Sequence, residues 1–142
     1  VTVRHDTTVA RQACADKLRV GQIVRNLLQN AHRYGGGEIE VVTRYAGENC
    51  VVTVSDDGPG VPAEKVASVF EPHVRVHPSN GITDSLGLGL YVSRTLAKLM
   101  DGTLEYRREN DRTCFDLVLP AAPTEPQSVA GGGRAPSLVT TR

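Results

Sequence analysis

The 142 residues carry 16 Lys plus Arg against 16 Asp plus Glu, a formal net charge of zero with a pI near 7.1. That balance argues against a chain that holds nucleic acid or a membrane surface by charge, because such binders show a basic excess or stripe. The length allows one domain, with or without a tail, and not two, and no apolar run approaches the ~20 residues of a membrane-spanning helix. With four Tyr, two Phe and no Trp, the core must be aliphatic. The opening Val1-Thr2-Val3-Arg4-His5 lacks a secretory pattern, and a start at Val leads us to expect a piece of something longer.

Periodicity and punctuation then give the elements in order. Residues 2–14 read as extended segments that end at Asp16, a side chain suited to cap a helix. From there Leu18, Ile23, Val24, Leu27, Leu28 and Ala31 recur at helical spacing until Gly35-Gly36-Gly37 stops the pattern, which predicts one amphipathic helix. Residues 38–45 and 50–55, rich in Val, Ile and Thr, read as strands joined through Ala46-Gly47-Glu48-Asn49 in a hairpin. After Asp56-Asp57-Gly58-Pro59-Gly60 a short helix is predicted over 63–69. Residues 71–85 hold Pro72, Pro78, Asn80 and Gly81 without a period, and a loop that long inside a compact domain is usually functional. A second long helix is predicted over 87–100, with Leu88, Val92, Leu96 and Leu99 on one face. Strands near 103–108 and 113–119 follow, around the turn Asn110-Asp111. The sum is an α/β (α+β) two-layer sandwich: a mixed, mostly antiparallel sheet with about three helices on one face, in a folded unit of residues 1–119. Residues 120–142 hold four of the eight prolines and the run Gly131-Gly132-Gly133, too little apolar surface to offset ordering entropy, and read as a disordered tail.

Cys14, Cys50 and Cys114 stand 36 and 64 residues apart with no C-x-x-C pair, so neither metal-ligand spacing nor an even disulfide framework is present. We expect small hydrophobes in the strands of a reduced, cytoplasmic protein.

Three short patterns carry chemistry. On the first helix Gln22, Asn26, Asn30 and Arg33 form a polar row beside the apolar stripe, and two Asn amides one turn apart can offer oxygens to Mg²⁺. Asp56-Asp57-Gly58-Pro59-Gly60 sets a carboxylate and two glycines at a strand end, where a flat ligand could lie close to the backbone and give an exocyclic amine to the carboxylate. Gly87-Leu88-Gly89-Leu90 opens a helix, and exposed N–H groups at such an end favour phosphate. Taken singly, each reads more readily as a solvated face, a turn or a loose helix entry.

Together they change the reading. The order Asn26-Leu27-Leu28-Gln29-Asn30-Ala31, then Asp56-Asp57-Gly58-Pro59-Gly60, then Val69-Phe70-Glu71-Pro72, then Gly87-Leu88-Gly89-Leu90 resembles the GHKL (Bergerat-fold) ATPase superfamily. Within it, the similarity is to the ATP-binding domain of bacterial sensor histidine kinases, and it covers roughly residues 16–119. The resemblance implies ATP and Mg²⁺ as cofactors and a Bergerat fold. It implies Asn30 as Mg²⁺ ligand, Asn26 and Arg33 beside the phosphates, and Tyr34 along the nucleotide. It implies Asp56 on the adenine amine with Gly58, Gly60 and Val61 near the base, and Gly87, Leu88, Gly89 and Leu90 around the phosphates. Asn26, Asn30 and Arg33 are then the residues of the catalytic step, and 71–86 is the ATP lid.

Two departures stand out: His73 replaces the second aromatic of the family's Phe-x-Pro-Phe box, and the lid is short and poor in glycine. The basic lid residues His73, Arg75 and His77 could reach a phosphate or face water. His5 precedes Asp6 on a strand-like segment and His32 reads as a surface residue, so the chain holds no phosphoacceptor of its own. The implied partners are a histidine-bearing dimerisation domain, in the same protein or a separate chain, and a response regulator. Nucleic acid and direct membrane contact are not expected, and the parent protein is cytoplasmic or tethered through upstream segments. A serine kinase of anti-sigma-factor type and a nucleotide-sensing module without transfer stay open as alternatives. Arg25, where hydrolytic relatives carry an acid before the Asn, counts against an ATPase that hydrolyses.

Overall fold

The computed structural model describes residues 1–5, 12–74 and 87–123. Five strands form one mixed sheet. They are β1 (Thr2–His5), β2 (Ile39–Ala46), β3 (Asn49–Asp56), β4 (Thr103–Glu109) and β5 (Arg112–Pro120), in the spatial order β1-β2-β3-β5-β4. Only the β1–β2 pair is parallel; the other three are antiparallel. Helix α1 (Lys17–Tyr34) begins where Asp16 accepts from Leu18 N at 2.8 Å and Arg19 N at 3.2 Å, which satisfies two of the N–H groups that a helix start leaves unpaired. The other helices are the single turn α2 (Ala63–Val66) and α3 (Gly89–Lys98).

Side chains alternate across each strand, so the registers decide what the helices cover. Val41, Val54, Phe115 and Tyr106 face one another across β2, β3, β5 and β4, and Leu104 and Leu117 pair on the same face. Onto this face α1 delivers Ile23, Leu27 and Ala31, and α3 with its following turn delivers Ala97 and Met100, closing an aliphatic core around the one buried phenylalanine. On the opposite face Asp116 accepts from Thr53 Oγ1 at 2.5 Å and Arg107 Nε at 2.6 Å, and these bonds satisfy a carboxylate that is 6% exposed.

Turn chemistry sets the connections. Gly47, with φ +59°, makes the tight reversal between Ala46 and Asn49. Asn110 and Asp111, at φ +50° and +60°, form the β4–β5 turn whose twist matches the flanking strands.

Several expectations shift. The short helix stops at Val66 rather than 69, because 67–70 continue as turns, and α3 is two residues shorter at each end than expected. Among the described residues of 2–14 there are β1 and an isolated bridge from Ala13 to Ala121. The chain also stays attached beyond 119: Pro120 pairs with Asn49, Ala121 N donates to Glu48 O, and Ala122 N donates to Gln12 O. The expected tail from 124 onward lies outside the described residues. Cys50 and Cys114 are buried in β3 and β5 as expected, with thiol pKa values raised chiefly by desolvation. Cys14 is exposed in the bend before α1, not in a strand.

Candidate functional site

The sheet row next to the core turns polar from β3 to β4. Ile39, Asp56, Thr113 and Arg108 are successive cross-strand neighbours on the helix-covered face, one pleat beyond Val41, Val54, Phe115 and Tyr106. Above them the last turns of α1 meet the first turn of α3. The two helices are tied together in this contact, since Asn26 Nδ2 donates to Ser93 Oγ at 3.2 Å and to Gly89 O at 3.4 Å. Between sheet row and helices lies a cavity of about 80 Å³, lined by Asn30 and Tyr34 from α1, Asp56 and Thr113 from the sheet, Gly60 and Val61 from the β3–α2 turn, and Gly87, Gly89 and Leu90 at the α3 entry.

Asp56 is the chemically distinctive group there. It is 6% exposed, its Oδ1 accepts from Gly58 N at 2.9 Å, and among the described residues no donor reaches Oδ2. Burial pushes its carboxyl pKa up; the Gly58 N–H opposes this, Asp57 adds to it, and Arg112 and Arg108 pull it back. A buried carboxylate with one oxygen committed and the other facing a cavity is built to accept one more hydrogen bond.

The glycines around it have separate reasons. A Cβ on Gly58 would stand 2.6 Å from Gly35 Cα and 2.8 Å from Tyr34 O, so this glycine lets the turn press on the end of α1. Gly60 has φ +81° and Gly87 φ +69°, conformations that cost L residues about 1–2 kcal/mol. A Cβ on Gly89 would meet nothing within 4 Å, so packing does not require glycine there; its bare backbone faces the cavity at the helix start.

Eight of the residues picked from sequence line one cavity: Asn30, Tyr34, Asp56, Gly60, Val61, Gly87, Gly89 and Leu90. Four do not. Asn26 ties α1 to α3, Gly58 lies beneath the turn, Leu88 accepts the first α3 bond from Val92 N, and exposed Arg33 sets its guanidinium 5.9 Å from the Tyr34 ring centroid. His32 is exposed on α1, and His73 N donates to Gly87 O at 3.1 Å, so the two ends of the expected lid meet. Arg75 and His77 lie outside the described residues. Sequence reasoning missed Val69, Val74, Thr113 and Phe115 in the lining. It missed too the stack in which the Arg94 guanidinium sits 4.8 Å from the Phe70 centroid and Phe70 meets Phe115 edge-on. The alternation of β5 does place Thr113 and Phe115 on one face, but nothing local says that this face adjoins Asp56.

Residues 15–123 match the family described as histidine kinase-, DNA gyrase B- and HSP90-like ATPase. The chain belongs to this family. The sensor protein ChvG of Agrobacterium fabrum is 38% identical over 117 residues, which cover 75% of this chain and 20% of that protein. The sensor protein RstB of Escherichia coli is 37% identical over 105 residues, 72% of this chain and 24% of that one. The solved histidine kinase domain of the E. coli osmosensor EnvZ superposes with a TM-score of 0.66 at 26% identity, covering 93% of this chain and 81% of that domain. This ATPase-family chain therefore spans a fifth to a quarter of the length of these two sensor proteins. Its mixed five-stranded sheet with helices is the fold of those catalytic domains.

The cavity suits the purine of a nucleotide. An acceptor lies at its floor, Leu90 and Val61 give it apolar walls, and bare N–H groups stand at the α3 entry. Among the described residues no cluster of His, Cys, Asp or Glu could hold a metal by itself, so a Mg²⁺ here would need phosphate and water oxygens beside the Asn30 amide.

Proposed function

We propose that this domain binds Mg²⁺·ATP in the α1–β3–α3 cleft and delivers the γ-phosphoryl group to a histidine on a dimerisation domain outside this chain, upstream of a response regulator. The observation that carries this reading is buried Asp56 in the cavity lining, with Oδ1 bonded to Gly58 N and no described donor on Oδ2, since a carboxylate there accepts from the adenine amine and opposes the carbonyl of guanine. The Asn30 side chain has no hydrogen bond to another described residue and lines the cavity, which leaves its amide oxygen for the cation. Mg²⁺ there would neutralise phosphate charge.

Among the described residues no lining side chain is a histidine or lysine base. That fits phosphoryl transfer, where the protein mostly positions and stabilises charge. Arg25, exposed one residue before Asn26, supplies no acid for hydrolysis. ATP as substrate places the domain in the cytoplasm, and among the described residues no helix is long and apolar enough to cross a membrane.

The deciding experiment mixes the chain with Mg²⁺, γ-labelled ATP and a separate histidine-bearing dimerisation domain. Acid-labile label on that domain is expected. Acid-stable label would make the acceptor a serine, and bound nucleotide without transfer would make the domain a sensor of nucleotide.

A further inference from the structure

One guanidinium reaches three separate segments around the cavity. Arg108 Nη1 donates to Gly58 O at 3.0 Å and to Thr113 Oγ1 at 3.2 Å, and Nη2 donates to Asp111 O at 3.1 Å. These acceptors belong to the glycine turn after β3, to the strand facing Asp56, and to the β4–β5 turn. Gly60 rests directly on the same group: a Cβ there would stand 2.6 Å from Arg108 Nη1 and 3.2 Å from the Tyr106 hydroxyl. Tyr106, two residues earlier on β4, accepts from Val61 N at 3.1 Å. The turn that borders the cavity is thus held from below by two side chains of the edge strand.

The hydrogen bond to Thr113 also fixes a polarity. With Arg108 donating to Oγ1, the threonine proton must point away from the guanidinium, and Thr113 lines the cavity directly across the strand pair from Asp56. The floor then offers an acceptor at Asp56 and a donor at Thr113, side by side. Adenine presents the complement, an amine next to a ring nitrogen with a lone pair, whereas guanine presents a carbonyl next to a ring N–H.

We propose that Arg108 is a positioning residue for base selection: by gripping Gly58 and Thr113 together, it fixes both the spacing and the donor–acceptor order of the cavity floor. This rests on the adenine-nucleotide reading above. The guanidinium itself touches no base; its effect passes through the turn and the threonine hydroxyl.

The test is titration calorimetry with Mg²⁺ and either ADP or GDP, on the wild type, Arg108→Ala, Arg108→Lys, Thr113→Val, Thr113→Ser and the Arg108→Ala/Thr113→Val pair. Arg108→Ala is expected to lose roughly tenfold in ADP affinity, the worth of about one hydrogen bond, with GDP unchanged, so the ADP:GDP ratio falls. Thr113→Val should lose as much, Thr113→Ser little, and the double variant no more than either single one, since both act on one device. Arg108→Lys keeps a donor without the planar fork and should recover part of the ratio. A folded Arg108→Ala with the wild-type ratio overturns the proposal, as do losses that multiply in the double variant. Should Arg108→Ala not fold, Thr113→Val decides: a ratio equal to that of Thr113→Ser overturns it as well. A wild type that binds neither nucleotide overturns the site reading itself, whereas binding with unmoved ratios overturns only the role of Arg108.

Discussion

Replacing Asp56 by Asn changes one atom group and leaves the volume nearly constant, so its effect can be worked from the hydrogen bonds. Gly58 N–H needs an acceptor and finds it at Oδ1, 2.9 Å away. In the variant the amide oxygen keeps that bond and the NH₂ turns to the cavity, where an incoming adenine amine also donates. The charged acceptor, worth about 1.5–3 kcal/mol, is lost, and opposing donors add about 1–3 kcal/mol. Because the cleft opens to water that can take up a displaced group, we expect the low end, roughly 2.5–3 kcal/mol or about a hundredfold in affinity. Titration calorimetry with ADP reads this directly. Cys50→Ala is the control: Cys50 is 4% exposed on the same strand, six residues and about 20 Å from Asp56, so it should cost packing and leave affinity alone. Equal losses in the two variants, or an Asp56→Asn domain that binds ADP as the wild type does, would refute the assignment of Asp56 to the base.

Four further outcomes are expected. Burial holds the Asp56 carboxyl above the usual carboxylate range, so ADP affinity should fall on acidification as the group gains a proton and ceases to accept. In the free domain the sign reverses: ionising Asp56 costs folding free energy as pH rises from the unfolded pKa through the higher folded one, so the Tm of Asp56→Asn minus that of the wild type should be greater at pH 7 than at pH 4, and melting curves of both proteins at the two pH values check it. Gly58→Ala presses a methyl into backbone at 2.6 Å and should cost about 1–3 kcal/mol of stability, several degrees in Tm, whereas Gly89→Ala should keep or raise Tm and weaken ATP binding at the helix entry. Asn30→Ala should leave Tm nearly unmoved, because among the described residues its side chain bonds nothing, and should abolish the gain in ATP affinity that Mg²⁺ confers.

What could be read in the sequence was local. Asp16 as cap, the apolar stripe from Ile23 to Ala31 and the stop at Gly35 fix α1 within a turn of its observed bounds, and Ala46-Gly47-Glu48-Asn49 fixes the β2–β3 hairpin. The residues that complete the floor were out of reach. Thr113 lies 57 positions from Asp56, and their pairing depends on β5 entering the sheet between β3 and β4, an order that no spacing encodes. Arg108 looks like any strand-edge charge until that order puts it under Gly60. The resemblance implies Asn26 beside the phosphates; that its amide also donates to Ser93, which is wholly buried and 67 positions away, no spacing encodes.

The bond from His73 N to Gly87 O makes a neck, seated on a left-handed residue at each side. Chain emerging at one side of a neck returns at the other, whatever its length, and lengthening such a segment costs closure entropy only logarithmically. Insertions and deletions between those two positions can therefore accumulate without disturbing the frame beneath. The fold thus separates a part of the sequence free to diversify from a floor that must stay fixed.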